Sequence, residues 1–342
     1  MKLMFFRKPA VIALIILASI IAGCSFQDSK PIHLTGFTMG TSYNVKLLDI
    51  PAGIAKQQIQ RDIELLLKLI NSQMSTYLAE SEISKFNQST VKTPVPVSQN
   101  TLKVLALAQE ISLETNGGFD VTVGPLVNLW GFGPKFQADS IPSVEKIEAA
   151  LRMVNFSHIS LDFANQSLSK NSELYADLSA IAKGFAVDEI ARYLQTHGMD
   201  NYLIEIGGEV RLNGVKNGSG WRLAVEKPVS NERTVHAIIS ASDKAIATSG
   251  DYRNFFELDG VRYSHTINPS TGFPVKQDVL SVTVIAGSCA EADAYATALS
   301  VIGPSKAIEV ANRKGLAVLL LVKDGNGYKE IYSDSFNQFR VQ

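Results

Sequence analysis

Residues 177–188 read DLSAIAKGFAVD, and the rest of the chain is organised around this stretch. It is a loop that opens straight into a helix. Over residues 182–197 the apolar positions Phe185, Ala186, Ile190, Ala191 and Leu194 recur at helical spacing, and Gly198 supplies a left-handed stop. The start of that helix is unusual. Lys183 falls in the first turn, where free N–H groups and the positive end of the macrodipole disfavour a cation, while Asp188 and Glu189 come later. Two readings fit. In one, an anion shares the site, Gly184 lets the backbone approach it, and the free N–H groups bind it. In the other, Lys183 is a solvated lysine on an ordinary amphipathic helix capped by Asp177 or Ser179.

Downstream, residues 201–214 (NYLIEIGGEVRLNG) have a buried-strand pattern that Gly207-Gly208 interrupts, which predicts a bulge or a close approach of backbone or ligand. Strands are expected over 221–225, 235–239 and 255–258. His265 follows a strand and precedes Asn268-Pro269-Ser270-Thr271-Gly272, which is turn chemistry, so the ring is held on a rigid edge. Residues 280–286 read as a buried strand, and the helix after it is stopped by Gly303-Pro304. On that helix Asp293 and Thr297 are four apart and share a face, beside Ala290, Ala294 and Ala298. A carboxylate and a hydroxyl there offer two oxygen ligands to a hard cation such as Mg²⁺. The alternative is Thr297 bonded back to a helix carbonyl and Asp293 solvated. A helix over 305–314, a strand over 316–322, a turn at 324–327 and a strand over 328–332 complete the pattern.

Upstream, two strands flank Met39-Gly40-Thr41-Ser42, and helices are predicted over 54–74, 101–115 and 143–154. Tyr77, at the exit of the first helix, suits either a planar ligand or the core, and by itself the core. Five glycines and two prolines between Gly117 and Pro134 forbid a long regular element there. Phe119, Trp130 and Phe132 in that segment form an irregular wall of the kind a planar cofactor needs. A hairpin is expected around residues 164–166.

Composition bounds the function. With 46% hydrophobic and 19% charged residues the chain can bury a large core, and a net charge of −1 without a basic run excludes a nucleic-acid surface. Two cysteines, Cys24 and Cys289, are too few for a disulfide framework or a cysteine metal site. Lys2, Arg7 and Lys8 precede an apolar run over 11–23 that is shorter than a membrane span and reads as a signal peptide. Its end, Ile21-Ala22-Gly23-Cys24, looks like a bacterial lipobox with Ile21 in place of the usual leucine. Cleavage would leave a lipidated Cys24 on the periplasmic side of a bacterial membrane, then a tether over 24–31 and one folded domain over 32–342. Cys289 is then expected to be a buried small hydrophobe.

Taken in order, MGTSY (39–43), MSTYLAESEISKFN (74–87), NGGFDVTVGPLVNLWGFG (116–133), DLSAIAKGFAVD, IEIGGEV (204–210), HTINPSTG (265–272) and EADAYATAL (291–299) resemble the ApbE family, the FAD:protein FMN transferases. The resemblance covers essentially the whole mature chain. It implies a mixed α/β (α+β) fold, a single domain with mixed sheets flanked by helices. It also implies Mg²⁺-dependent transfer of FMN from FAD to a threonine or serine of a partner protein through a phosphoester, with AMP released. By position, Met39, Tyr77, Gly117, Gly118, Phe119, Asp177, Lys183 and His265 would line the FAD site. Ala180, through its carbonyl, would hold the metal with Asp293 and Thr297, and His265 would be the catalytic base. Acceptors of the kind found in sodium-pumping NADH:quinone reductase and Rnf-type complexes are implied likewise. The alternative is a periplasmic lipoprotein that binds or hydrolyses FAD without modifying protein.

Overall fold

Eight strands build the central sheet of this chain, several of them supplying apolar side chains to both of its faces. The computed structural model describes residues 31–134, 141–216, 218–228, 234–250, 255–258, 260–276, 278–325 and 327–341, and every element below lies in the unit Ile32–Gln342. The leader over 1–23, Cys24 and the tether through residue 30 lie outside the described residues. None of the described helices is long and apolar enough to cross a membrane.

The sheet contains β1 (Ile32–Thr38), β2 (Thr41–Leu47), β6 (Tyr202–Ile206), β7 (Glu209–Asn213), β10 (Lys244–Gly250), β13 (Val279–Ala286), β14 (Ala317–Asp324) and β15 (Gly327–Tyr332), side by side in that order. The mixed α/β class holds. Every ladder in this sheet is antiparallel, so the expectation of mixed sheets does not extend to strand direction. Helices α1 (Lys56–Met74), α3 (Gln99–Glu114), α6 (Ala182–Thr196), α7 (Cys289–Ile302) and α8 (Pro304–Lys314) share one core with the sheet, where β14 points Val318, Leu320 and Val322. The opposite face, with Leu319 and Leu321, packs against the hairpin of β8 (Trp221–Glu226) and β9 (Val235–Ala241). Burial on both faces explains why β13 and β14 read as continuous apolar runs.

Smaller pieces carry the rim. Between α1 and α3 lie α2 (Glu82–Gln88), capped by Ser81, and the two-residue β3 (Val95–Pro96), which pairs with the hairpin of β4 (Ile159–Asp162) and β5 (Ser167–Lys170). The glycine-rich segment does hold regular structure, a 3₁₀ turn Val121–Val123 and a six-residue α4 (Gly124–Leu129). With α5 (Val144–Leu151) and the hairpin β11 (Phe255–Leu258) and β12 (Val261–Ser264), it forms a separate small core around Trp130. Trp130 therefore packs inward, stacked on Tyr263 at 5.7 Å and donating to the Gly272 carbonyl at 2.8 Å. Its expected place in a cofactor wall falls to Phe119 and Phe132.

Two predictions change at the sheet centre. Gly207-Gly208 is the two-residue turn of the β6–β7 hairpin, with φ of +61° and +107°, rather than a bulge, while the close approach holds at Gly207, where a Cβ would sit 2.8 Å from the Thr41 side chain. Strand β10 was not expected at all. Its residues, KAIATSG, have weak β propensity, and pairing with β7 and β13 overrides it.

Candidate functional site

The site is assembled where α6 and α7 begin, against the ends of β7 and β10. Helix α6 starts at Ala182 with Ile181 as its N-cap, and no side chain caps it in the usual way. The Asp177 carboxylate instead accepts the Ser179 N–H at 2.9 Å in the preceding turn, so neither Asp177 nor Ser179 is the expected cap. The cap comes from elsewhere in the chain. Asp293 Oδ2 accepts the N–H of Gly184 at 3.0 Å, satisfying one of the orphan donors of the first turn. The glycine serves that contact, since a Cβ on Gly184 would sit 2.2 Å from the Cys289 carbonyl oxygen. Close approach at Gly184 is thus to the neighbouring helix, not to a ligand as the sequence suggested.

Lys183 is not solvated either. Its Nζ donates to Glu209 Oε1 at 2.5 Å, and Glu209 is the first residue of β7, just past the diglycine turn. Together the half-buried Lys183 and the buried Glu209 and Asp293 make one cluster with two carboxyls and one ammonium. Burial works to lower the Lys183 pKa, but Asp293 and Glu209 outweigh it and hold the lysine protonated. Burial, then the Asp293 charge, pushes the Glu209 carboxyl up, against the pull of Lys183. Asp293 is raised chiefly by burial, with Lys183 and the Gly184 N–H opposing. Fully ionised, the cluster would carry one negative charge too many, which is why its carboxyls are pushed up, and Glu209 Oε2 is buried with no hydrogen-bond partner. Such an arrangement is costly unless a cation shares it.

Asp293 and Thr297 do lie on one face of α7, with Val301 a turn further on, and all three line a cavity of about 450 Å³. Asp293 is only 5% exposed, so the solvated alternative fails. The same cavity is lined by Tyr77, Gly118, Phe119, Asp177, Ala180, Lys183 and His265. His265 follows β12 as expected and meets the Phe132 ring edge-on at 6.3 Å between centroids. A second cavity, about 720 Å³, shares Tyr77, Asp177, Ser179 and Lys183 with the first and adds Met39 and Gly40. Both sizes suit a cofactor-sized ligand. Tyr77 is 67% exposed and belongs to the cavity walls rather than to the core. Burial, with the Asp177 charge, raises its phenol pKa and keeps it neutral.

Gly117 lines neither cavity. Its φ of +78° ends α3, where its N–H reaches the Ser112 carbonyl at 2.8 Å and aims Gly118 and Phe119 inward. The sequence reading missed Asp120, Ser179, Glu209, Thr266 and the β10 residues Thr248, Ser249 and Gly250, all of which line the first cavity. For Glu209 a signal existed, an acid directly after a diglycine in an otherwise apolar strand pair. For β10 there was none beyond its context.

Ligand chemistry can be tested against these groups. Among the described residues no three His, Cys, Asp or Glu side chains are placed to hold a metal together. One carboxylate, one hydroxyl and a nearby carbonyl, beside a second buried carboxyl that a cation would favour ionised, do fit a hard cation that takes its other ligands from water and a bound phosphate.

A model of the ApbE family matches residues 39–320. The chain belongs to the ApbE family. It is 48% identical over 330 residues to a protein of Vibrio cholerae called FAD:protein FMN transferase, covering 95% of this chain and 98% of that protein. The ApbE fold is equally clear from solved structures. Flavin Transferase ApbE from Vibrio cholerae superposes with a TM-score of 0.84 at 47% identity, over 91% of this chain and 99% of that one. The apo form of Pseudomonas stutzeri flavinyl transferase ApbE gives a TM-score of 0.85 at 36% identity, over 93% and 99%.

Proposed function

We propose that this protein moves FMN from FAD to a serine or threonine hydroxyl of an acceptor protein, forming a phosphoester and releasing AMP. The observation that carries the reading is the Asp293, Glu209 and Lys183 cluster, two buried carboxyls sharing one ammonium and leaving Glu209 Oε2 without a partner, on the same cavity as His265. Mg²⁺ held by Asp293, Thr297 and the Ala180 carbonyl would supply positive charge to the pyrophosphate oxygens as charge builds during transfer.

The chain's own residues do the rest. Met39, Tyr77, Gly118, Phe119, Asp177 and Lys183 bind and orient FAD, and Gly117 acts one step back by fixing the turn that carries Gly118. His265 Nδ1 or Nε2 takes the proton of the acceptor hydroxyl as that oxygen attacks the phosphorus on the riboflavin side. A new P–O bond forms to the acceptor, the bond from that phosphorus to the bridging oxygen breaks, and the bridging oxygen leaves with AMP. The proton on His265 then passes to solvent. We further propose that Cys24 is lipidated and that the domain works on the periplasmic side of a bacterial membrane. Acceptors would be subunits of the sodium-pumping NADH:quinone reductase or Rnf type.

The test is to incubate the protein with FAD, Mg²⁺ and a candidate acceptor, then weigh the intact acceptor and quantify AMP. One FMN phosphoester on the acceptor for each AMP is expected. AMP and free FMN without a modified acceptor would favour the hydrolase reading.

A further inference from the structure

Asp188 lies one turn beyond Gly184 on α6 and reaches the first turn of α7. Its Oδ1 accepts the N–H of Cys289 at 2.9 Å and the Nη1 of Arg211 at 2.7 Å, and its Oδ2 accepts the N–H of Ala290 at 2.9 Å. Arg211, on β7, also donates to the Gly287 carbonyl at 3.0 Å. Two orphan donors of α7 are therefore held by the neighbouring helix, while Ser288 caps the helix from its own loop. The bond from Gly184 to Asp293 runs the other way. Each helix thus lends a carboxylate to the free N–H groups of its partner, from positions four residues apart on each, 184 and 188 on one and 289 and 293 on the other. Between these bonds the backbones touch at Gly184 and Cys289, with no room for a side chain.

We propose that Asp188, charge-balanced by Arg211, is a positioning residue for the reaction. It fixes α7 against the start of α6, and so sets how Asp293 and Thr297 face Ala180 across the cation position. Neither Asp188 nor Arg211 lines the two cavities, so the action is through the helix pair and not by contact with substrate. The inference rests on the cation reading of Asp293, Thr297 and Ala180 given above. A small cation that demands near-octahedral geometry at about 2.1 Å feels a helix shift of a few tenths of an ångström, whereas a flexible nucleotide does not.

The experiment is calorimetric titration of Mn²⁺ into the full enzyme with FAD bound and no acceptor present, for the unmodified chain, Asp188→Asn and Arg211→Gln. Asparagine keeps the shape but loses the charge and one acceptor. Mn²⁺ affinity should weaken about ten-fold in Asp188→Asn, the low end of what supporting partners of metal ligands are worth, and less in Arg211→Gln. Metal-free FAD affinity should stay unchanged, and the transfer kcat should return at saturating Mg²⁺. A folded Asp188→Asn with a lower Tm but unchanged Mn²⁺ affinity would make the residue a helix support and overturn the proposal. If that variant does not fold, Arg211→Gln decides by the same titration, with weakened Mn²⁺ binding upholding the clamp and unchanged binding overturning it. An unmodified chain that takes up no Mn²⁺ with FAD bound would overturn the cation reading itself, and the clamp with it.

Discussion

At the scale of single residues, the site is a problem of charge. His265→Ala should cost on the order of 10²–10⁴ in transfer rate while FAD still binds, because a general base is lost and a cavity wall is kept. Single-turnover transfer and FAD fluorescence together check this, and loss of FAD binding would make the ring a binding group instead. Lys183→Met, measured without added metal, should destabilise the fold by about 1–3 kcal/mol, since it leaves the Glu209 carboxyl buried without its partner. Its sign with pH follows from the raised Glu209 carboxyl. Both proteins keep that carboxyl protonated at lower pH, and losing Lys183 raises it further, so the deficit should widen as pH rises through about 8, where Glu209 of the unmodified chain ionises. Lys183→Met with Glu209→Gln should recover most of the loss in denaturant unfolding. A double variant as unstable as the sum of the singles would show that the two side chains do not act as a pair. The residue types at this site were legible in the sequence, including the lysine placed against the helix dipole. Its partner was not, because Glu209 is 26 residues away and only the fold brings the two together.

At the scale of elements, α6 and α7 are the working pair. The periodicity of each was plain, and Asp293 and Thr297 were placed on one face by spacing alone. Their packing was not, because helical spacing fixes which face is apolar and says nothing of which helix it meets. Gly184 shows the limit. Room for a ligand is one of two readings that the sequence allows at Gly184, and the structure gives that room to the Cys289 backbone. Gly184→Ala should therefore push two backbones apart, costing about 1–3 kcal/mol of stability, the range for overpacking against rigid neighbours. It should weaken transfer as well, through Asp293. Thermal unfolding and the Mg²⁺ dependence of transfer measure the two effects, and an alanine variant of unchanged Tm would mean that the helices part without strain.

For the whole molecule, an antiparallel sheet covered by helices on one face and by a hairpin on the other presents its ligand-binding loops and helix starts on one cavity. Cys289 is sealed in this core, where burial pushes its thiol pKa up. Cys24→Ser should abolish lipidation, so that the protein leaves the membrane fraction or stays as uncut precursor. Fractionation and intact mass would show it, and a processed variant that still sediments with membranes would remove the lipoprotein reading. By itself the sequence determined most of the succession of helices and strands, the turn before which His265 stands, the shared face of Asp293 and Thr297, and the family, because these depend on local spacing and on residues that stand close together in the chain. Only the tertiary structure decided that β10 runs through the middle of the sheet, that Glu209 pairs with Lys183 and that Asp293 caps α6. Each of those depends on groups far apart in the chain, whose pairing is set by burial of charge and by the space between packed backbones rather than by any local preference.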